Sequence, residues 1–182
     1  MHYLEQIQTI LQPKQTRSEF VLDLFAGAGG LALGFEAQGF HTVGFEKDKD
    51  SCETYHHNLH GSCQQVVLDT DFLFPQAQVV IGGPPCQPFS VGGKQQGLAD
   101  SRDGFPAFLS AIEQVKPELF LFENVRGMLY RNKWYLDEII SACQQLGYIV
   151  EYKLFNMVEY GVPQKRKRVI VVGHRGGFEF PK

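Results

Sequence analysis

One cysteine differs from the other three in its sequence surroundings. Cys86 lies in a Pro-Pro-Cys-Gln run at positions 84–87, which follows an apolar segment and two glycines. A free cysteine is usually an inert core residue. Here two prolines fix the backbone ahead of the thiol, and glycines begin the loop. Because a thiolate is a strong nucleophile when cationic surroundings lower its pKa, we predict that Cys86 is a catalytic nucleophile.

A carboxylate and two arginines are the candidate partners of that thiol. Glu123 follows the apolar segment 119–122, where partial desolvation favours the protonated form of a carboxylate and its use as a proton donor. Arg166 and Arg168 precede the apolar segment 169–172, so they could point into the cleft and supply cationic surroundings for the thiol. The alternatives are a helix N-cap or surface acid for Glu123 and a solvated charge run for the arginines.

A glycine-rich turn indicates a place for a nucleoside-containing cofactor. The apolar segment 20–25 leads into a Gly-Ala-Gly-Gly turn at 27–30 and then into a predicted helix. Glycine lets a ligand approach the backbone at the carboxyl end of a strand, where open α/β sheets bind ligands. Glu46 ends the second predicted strand, where it could accept hydrogen bonds from ribose hydroxyls. Taken alone, the pattern also fits a nicotinamide cofactor or a structural turn.

Alternating strand and helix patterns predict the elements that position these residues. Such alternation is typical of an α/β protein with a mostly parallel, twisted sheet and helices on both faces. Residues 1–17 predict a short N-terminal helical extension that ends at Pro13, and 18–182 predict one catalytic domain. Strands are predicted at 20–25, 42–45, 66–68, 79–81, 119–122, 148–155 and 169–172, and helices at 31–38, 51–58, 105–115 and 135–146.

The composition is that of one globular domain. The chain has 182 residues, of which 43% are hydrophobic and 20% charged, enough to bury a core. No apolar run is long enough to span a membrane and no signal peptide is evident, so we expect a cytoplasmic protein. Its four cysteines form no CxxC pair, which argues against a disulfide framework and a metal site. The net charge is −3, and the basic excess lies within residues 153–182.

Taken together, these runs resemble the cytosine-C5 DNA methyltransferase family. The resemblance rests on segments 23–30, 83–90, 123–125 and 164–168 together with Glu46, which occur in the family's order and rough spacing. It covers about 21–173. It implies a Rossmann-like methyltransferase fold, duplex DNA as the partner and, at the level of the family, a restriction-modification setting in a prokaryotic cytosol.

The resemblance also implies a mechanism. Cys86 would add to C6 of a cytosine, and C5 would take the methyl group of S-adenosyl-L-methionine, leaving S-adenosyl-L-homocysteine. Glu123 would act on N3 and recognise the exocyclic amine, while Arg168, with Arg166 beside it, would bind O2. These atoms are hidden in a duplex, so the base must be flipped out. The loop 90–103 resembles the family's closing loop. Gln87 and Ser90 are its predicted substrate contacts.

The cofactor residues follow from the same resemblance. Phe25, Gly27, Gly29 and Glu46 would hold the methionine and ribose parts, with Pro85 near the transferred methyl group. Asp69 could bind the adenine amine, with Asp71 as the alternative. Lys47 stands where many relatives carry an aromatic residue, which argues against an aromatic stack on adenine there. The full predicted set is Asp23, Phe25, Ala26, Gly27, Gly29, Gly30, Glu46, Lys47, Asp69, Thr70 and Pro85.

Complete members of the family continue beyond the segment at 164–168 with a target-recognition domain and a last helical segment. This sequence ends at Lys182, which suggests either a fragment or one subunit of a split enzyme whose second polypeptide carries the remainder. Alternative functions are methylation of cytosine in transfer RNA, a non-catalytic cofactor-binding subunit and a nicotinamide-dependent oxidoreductase. The last two leave Cys86, Glu123 and Arg168 without a role.

Overall fold

The computed structural model describes residues 2–86 and 103–181. Within them, seven strands form one sheet and five α-helices surround it. The strands are β1 (Phe20–Leu24), β2 (His41–Glu46), β3 (Ser62–Gln65), β4 (Val79–Gly82), β5 (Leu119–Val125), β6 (Ile149–Asn156) and β7 (Lys167–His174). The helices are α1 (Tyr3–Ile10), α2 (Gly30–Glu36), α3 (Lys49–Asn58), α4 (Phe105–Val115) and α5 (Lys133–Gln145).

The sheet has the strand order β3-β2-β1-β4-β5-β7-β6. Strands β1 to β5 pair in parallel, whereas β7 is antiparallel to both β5 and β6. The chain therefore starts in the middle of the sheet, runs outward to β3 and then crosses to β4. Open α/β sheets bind ligands at such a reversal, beyond the carboxyl ends of the strands. The predicted α/β class and mostly parallel sheet are confirmed.

Alternate residues of the central strand β1 pack on opposite faces of the sheet. Leu22 and Leu24 belong to the large apolar cluster that contains residues of α4 and α5. Val21 lies in a separate cluster with Leu31 and Phe35 of α2. This period of two follows from the strand geometry, which sends successive side chains to opposite sides. Helices thus cover both faces, as predicted.

The third strand is not where the sequence pattern predicted it. The apolar segment 66–68 was expected to be a strand, but β3 is Ser62–Gln65, with Cys63 as its one buried residue. The Val66 N–H still donates to the Glu46 carbonyl oxygen at 2.8 Å, after which the chain leaves the sheet. Val66 and Leu68 are partly buried against the main core, so their apolar character reflects packing at the edge of a cavity rather than strand pairing.

Two thiols that are separate in the sequence meet in the fold. The sulfur atoms of Cys52 on α3 and Cys63 on β3 lie 2.7 Å apart, and both residues are buried. Cys143 is also buried, within α5, whereas Cys86 is partly exposed. The prediction treated the four cysteines as unrelated. It could not bring Cys52 and Cys63 together, because their contact depends on how α3 packs against β3.

A buried carboxylate fixes the connection between α3 and β3. Glu36, at the end of α2, is fully buried. Its Oε1 accepts hydrogen bonds from the Thr42 hydroxyl at 2.6 Å and the Gly61 N–H at 2.7 Å, and its Oε2 accepts one from the His60 N–H at 2.8 Å. The Tyr55 hydroxyl donates to Thr42 Oγ1 at 2.7 Å. Since a buried carboxylate must be hydrogen-bonded, this network specifies the path of the chain between α3 and β3.

We expect Glu36→Ala to lower the free energy of unfolding by about 3 kcal/mol, because three donors lose their acceptor and one of them, the Thr42 hydroxyl, is buried. Urea denaturation followed by circular dichroism measures the change. Glu113→Ala, which removes an exposed carboxylate from α4, is the control and should stay within about 0.5 kcal/mol of the parent chain. Equal losses in the two variants would contradict a structural role for the Glu36 network.

Candidate active site

A cavity of about 320 Å³ lies beyond the carboxyl ends of β1, β2 and β4, at the point where the strand order reverses. Its walls combine aromatic and aliphatic side chains with a few polar groups, as in most sites for small molecules. The lining residues are Phe25, Phe45, Glu46, Lys47, Val66, Val67, Leu68, Gly83, Pro85, Asp103 and Gly104.

The turn after β1 follows Phe25, which lines the cavity, and this turn depends on glycine. Gly27 and Gly29 have φ angles of +53° and +86°, in the left-handed region that glycine adopts without strain. A Cβ atom on Gly29 would lie 2.2 Å from Leu59 Cδ1, so glycine also permits close packing of α2 against α3. A Cβ atom on Gly27 would meet nothing within 4 Å. The Gly27 backbone therefore leaves open space for a ligand.

Glu46 connects the turn to the end of β2. Its Oε2 accepts a hydrogen bond from the Gly27 N–H at 2.9 Å, and its Oε1 accepts one from the Asp48 N–H at 3.0 Å. Asp48 in turn caps α3 by accepting from the Ser51 N–H at 2.9 Å. Each carboxylate oxygen has further acceptor capacity. The Glu46 side chain, which lines the cavity, is thus held by two backbone donors while remaining able to bind hydroxyl groups.

Asp23 is the most unusual acid near the turn. Its side chain is 1% exposed, and neither carboxylate oxygen has a hydrogen-bond partner among the described residues. Burial raises its pKa well above 3.8, and the negative charge of Glu46 adds to this rise. A buried acid without a partner is unfavourable for the fold alone. A cationic group bound beside it would remove the penalty.

We expect Asp23→Asn to have opposite effects on stability and on cofactor affinity. The unfolded chain releases the Asp23 proton near pH 4, whereas the folded chain retains it to higher pH. Stability therefore falls as the pH rises from about 4 toward the folded pKa. The variant lacks this loss, so its Tm should exceed that of the parent chain at pH 8 by about 2–8 °C, with a smaller difference at pH 5. Differential scanning calorimetry at both values measures it.

In the same variant, affinity for S-adenosyl-L-methionine should fall about tenfold or more, because Asn cannot provide a negative charge to an ammonium group. Isothermal titration measures this. Asp50→Asn, an exposed substitution on α3, should change neither property. A Tm difference between the Asp23 variant and the parent that is the same at both pH values would contradict the titration argument.

Contacts with neighbouring elements hold each of the three residues 84–86. The Pro84 carbonyl oxygen accepts a hydrogen bond from the Asn124 side-chain amide at 3.1 Å, and the Pro85 carbonyl oxygen accepts one from the Gly104 N–H at 2.9 Å. Cys86 itself forms an isolated antiparallel bridge with Asp103. A Cβ atom on Gly104 would lie 2.4 Å from Pro85 Cδ, so only glycine permits this approach.

The Cys86 thiol is protonated at neutral pH in this state. Burial, and after it the negative charge of Asp103, raise its pKa to about 12. The sequence suggested that the arginines at 166 and 168 would lower this pKa, and that expectation is wrong for the structure described. Both arginines instead pair with Glu123. Activation of the thiol therefore requires a change in its surroundings when a substrate binds.

Glu123 and Arg168 come together because β7 is antiparallel to β5. The start of β7 then lies beside the end of β5, with Arg168 opposite Val125. Arg168 Nε is 3.1 Å from Glu123 Oε2, and Arg166 Nη2 is 3.9 Å from Glu123 Oε1. A Cβ atom on Gly83 would be 3.8 Å from Glu123 Oε1. The acid thus lies over the first residue of the loop that carries Cys86.

Several predicted residues lie elsewhere. Asp69 is exposed, and its Oδ1 accepts from the Asp71 N–H at 3.0 Å within a local turn. The carbonyl oxygen of Thr70 accepts from the Ser110 hydroxyl at 2.9 Å. Neither Asp69 nor Thr70 lines the cavity. Gln87, Ser90 and most of the segment 90–103 fall outside the described residues.

The structure also adds residues that the sequence did not single out. Phe45 and the segment 66–68 supply apolar walls of the cavity, and Asp103 and Gly104 close it from the side of α4. Asn124 belongs to the Glu-Asn-Val run of the sequence, but its role in holding the Pro84 carbonyl oxygen is visible only in the structure. No combination of His, Cys, Asp and Glu within 2–86 and 103–181 could hold a metal ion.

The cavity fits S-adenosyl-L-methionine in its chemistry. Glu46 lines the cavity and retains acceptors for hydroxyl groups, and the Gly27 backbone that donates to Glu46 has open space beside it. Asp23, behind them at 1% exposure, lacks a cationic partner among the described residues. The apolar walls suit an adenine ring.

Solved methyltransferase structures share this fold. The structure superposes on a mutant of Spodoptera frugiperda DNMT2 with a TM-score of 0.70 and 23% sequence identity, covering 91% of this chain and 52% of that one. It superposes on the Entamoeba histolytica methyltransferase EhMeth with a TM-score of 0.69 and 19% identity, covering 91% and 56%. At these identities the likeness concerns the fold. It confirms the Rossmann-like methyltransferase fold.

Sequence comparison identifies the family. The profile described as C-5 cytosine-specific DNA methylase matches residues 20–181. Type II methyltransferase M.AplI of Arthrospira platensis is 52% identical over 164 residues, covering 89% of this chain and 47% of that protein. Type II methyltransferase M.AquIA of Picosynechococcus sp. is 37% identical over 186 residues, covering 89% and 75%. The chain belongs to the C-5 cytosine-specific DNA methylase family, whose members use S-adenosyl-L-methionine as methyl donor.

The chain spans about half the length of M.AplI and of several other curated relatives. By contrast, the chain covers three quarters of the length of M.AquIA. Within the described ranges, none of the helices has the length and hydrophobicity that crossing a membrane demands.

Proposed function

We propose that this chain carries the catalytic centre of a DNA (cytosine-5-)-methyltransferase. The observation that carries the proposal is the Glu123–Arg168 pair, 3.1 Å apart and lying over Gly83 at the start of the Cys86 loop. This arrangement supplies a carboxylate and a guanidinium group at the start of the loop that carries the Cys86 thiol. Membership of the cytosine methylase family supports the same chemistry.

We assign the cofactor to the cavity between β1, β2 and β4. The turn at 27–30 and Phe25 would contact the methionine part, Glu46 the ribose hydroxyls, and Asp23 the ammonium group. Val66 and Leu68, not the predicted Asp69, are the walls nearest to an adenine ring. When bound, S-adenosyl-L-methionine supplies an electrophilic methyl group. Pro85 lines this cavity and directly precedes Cys86 in the chain, which supports our assignment of the nucleophile to a position next to the donor.

The reaction begins when the Cys86 thiol releases its proton to water and its sulfur forms a bond to C6 of a flipped-out cytosine. This addition moves an electron pair toward C5, and it is favourable only if N3 is protonated or strongly hydrogen-bonded. Glu123 provides that contact and also accepts a hydrogen bond from the exocyclic amine, which distinguishes cytosine from uracil. After C5 is methylated, loss of the C5 proton returns the electron pair and breaks the bond between sulfur and C6.

Arg168 has two successive partners in this scheme. In the structure it neutralises Glu123, and with a base in the site it would bind the cytosine O2 atom. A base that draws Arg168 toward O2 weakens its contact with Glu123, so that carboxylate can hold a proton at N3. Arg166, at 3.9 Å from Glu123, is close enough to make the same exchange. The ion pair thus keeps the acid in place until the base arrives.

We propose duplex DNA as the substrate, with target recognition carried by a further segment of the protein or by a second polypeptide. Two facts support this division. The chain spans about half of most relatives, and the residues that we assign to chemistry and cofactor binding lie between 23 and 168. M.AquIA, a shorter relative, is covered over most of its length.

The test uses duplex DNA in which 5-fluorocytosine replaces cytosine, because the fluorine cannot leave as a proton does and the covalent complex is trapped. The chain is incubated with this DNA and S-adenosyl-L-methionine, and a denaturing gel reports the adduct. We expect a slow adduct with little sequence preference when the chain is alone. A 5-fluorocytosine RNA of similar length should give less. If no cofactor-dependent adduct forms on either nucleic acid, the proposed function is wrong.

A further inference from the structure

A buried carboxylate beside the nucleophile has no role in the mechanism above. Asp103 is 9% exposed and lies at the other end of the bridge to Cys86. Its Oδ1 accepts a hydrogen bond from the Phe105 N–H at 3.2 Å, and its Oδ2 accepts one from the Tyr135 hydroxyl. A carboxylate buried this close to a thiol that must ionise opposes the reaction electrostatically. The Asp103 carboxylate must therefore contribute to the function of Cys86 in another way.

The contacts form a continuous connection from α5 to the nucleophile. The Tyr135 hydroxyl holds the Asp103 side chain, the Asp103 backbone forms the bridge to Cys86, and the next residue, Gly104, donates to the Pro85 carbonyl oxygen at 2.9 Å. The position of the Cys86 backbone therefore depends on where the Asp103 carboxylate is held.

Tyr135 is a rigid anchor for this connection. It is fully buried in the first turns of α5, beside Leu136, and its ring packs edge-on against Phe105 with 5.7 Å between ring centroids. A buried tyrosine hydroxyl that donates to a carboxylate makes a strong, charge-assisted hydrogen bond. In contrast to an exposed ion pair, such a contact has little freedom to rearrange.

We propose that Tyr135 and Asp103 form a positioning pair for Cys86, in which the hydroxyl fixes the carboxylate and the carboxylate fixes the backbone of the nucleophile. Neither residue touches the reacting atoms. This inference rests on the proposed function only for the kind of reaction that Cys86 performs. The connection itself is a property of the folded chain.

The charges around Cys86 agree with this assignment. Burial, and after it the negative charge of Asp103, raise the Cys86 pKa. On the side of β5 and β7, the carboxylate of Glu123 is paired with Arg168 and Arg166. The Asp103 carboxylate thus positions the nucleophile and also keeps it protonated before a substrate is bound. Removing its charge should lower the thiol pKa, and removing the Tyr135 hydroxyl should release the backbone.

The first test compares Tyr135→Phe with Tyr148→Phe. Tyr148 is a matched control, because it is also buried in the core and its hydroxyl donates to the Pro117 carbonyl oxygen at 2.7 Å. In the Tyr135 variant we expect alkylation of Cys86 by iodoacetamide to rise at least threefold and adduct formation on 5-fluorocytosine DNA to fall at least tenfold, with cofactor affinity unchanged. In the Tyr148 variant both rates should match the parent chain.

Mass spectrometry of each alkylated peptide separates positioning from general destabilisation. Buried Cys143 reports the latter, because its alkylation increases only if the core opens. If Tyr135→Phe raises the alkylation of Cys86 and Cys143 together, or behaves like Tyr148→Phe, the proposal is overturned.

The second test follows the alkylation rate of Cys86 against pH in Asp103→Asn, which preserves the shape of the side chain. Its midpoint should move to lower pH than in the parent chain, and an unchanged midpoint contradicts the role of Asp103. These alkylation measurements need neither DNA nor cofactor. A failure of the proposed methyltransferase function, seen as the absence of any adduct in the parent chain, is thus distinguishable from a failure of the positioning pair.

Discussion

Replacing Cys86 with alanine is expected to abolish methyl transfer, lowering it by about 10⁴-fold or more, as removal of a covalent nucleophile does in other enzymes. Without the sulfur no bond to C6 forms, so C5 never becomes nucleophilic. The measurement is incorporation of labelled methyl groups into duplex DNA, together with the denaturing-gel adduct on 5-fluorocytosine DNA. Affinity for the cofactor should be retained, because the Cys86 side chain does not line the cofactor cavity.

Cys143→Ala is the control for this experiment. It also removes a thiol, but from a position in α5 that is 1% exposed, and it should leave the adduct intact even if it lowers stability. A Cys86→Ala chain that still forms the adduct would show that another residue is the nucleophile. Loss of the adduct in both variants would indicate that folding, rather than chemistry, was affected.

Glu123→Gln should lower the rate of methyl transfer by about 10²–10⁴-fold, the usual contribution of a positioned general acid or base. Glutamine has nearly the same shape and can still hydrogen-bond, but it cannot deliver a proton to N3. The loss should appear in kcat rather than in cofactor affinity, because Glu123 contributes to the step in which C6 is attacked. Single-turnover methylation at saturating cofactor measures it.

The control for this variant is Glu118→Gln, which changes an exposed acid just before the same strand. A further comparison with Arg168→Met tests the pair itself. Since two residues that act as a unit have non-additive effects, the double variant should lose much less than the product of the two single losses. Fully multiplicative losses would contradict the joint action of Glu123 and Arg168.

Much of the site could be predicted because its residues lie in short local runs. Glu46 is the last residue of β2, and the glycines at 27–30 and Cys86 come within a few residues of the ends of β1 and β4. Parallel strands bring their carboxyl ends to one edge of the sheet. Position along the chain was thus enough to place them in one region. The same reasoning correctly predicted a mostly parallel α/β sheet with helices on both faces.

The remainder depends on contacts between distant segments. The strand predicted at 66–68 is wrong because an apolar segment beside a cavity and an apolar strand have the same composition. Arg168 meets Glu123 only because β7 turns antiparallel, which no local pattern specifies. Tyr135 and Asp103 come together through the packing of α5 against the start of α4. The activating effect expected of the basic segment also failed, because those charges already have a partner in Glu123.

The placement of β7 between β5 and β6 determines the order in which the last strands of the sheet can fold. Among the described residues, β6 joins the sheet through β7 alone, which lies between it and β5. During synthesis the earlier part of the chain emerges and can collapse first, but neither β6 nor Arg168 can take its place until β7 has left the ribosome. Glu123 therefore gains its arginine only after the other six described strands have been synthesised, and a nascent chain carries Cys86 before it carries the Glu123–Arg168 pair.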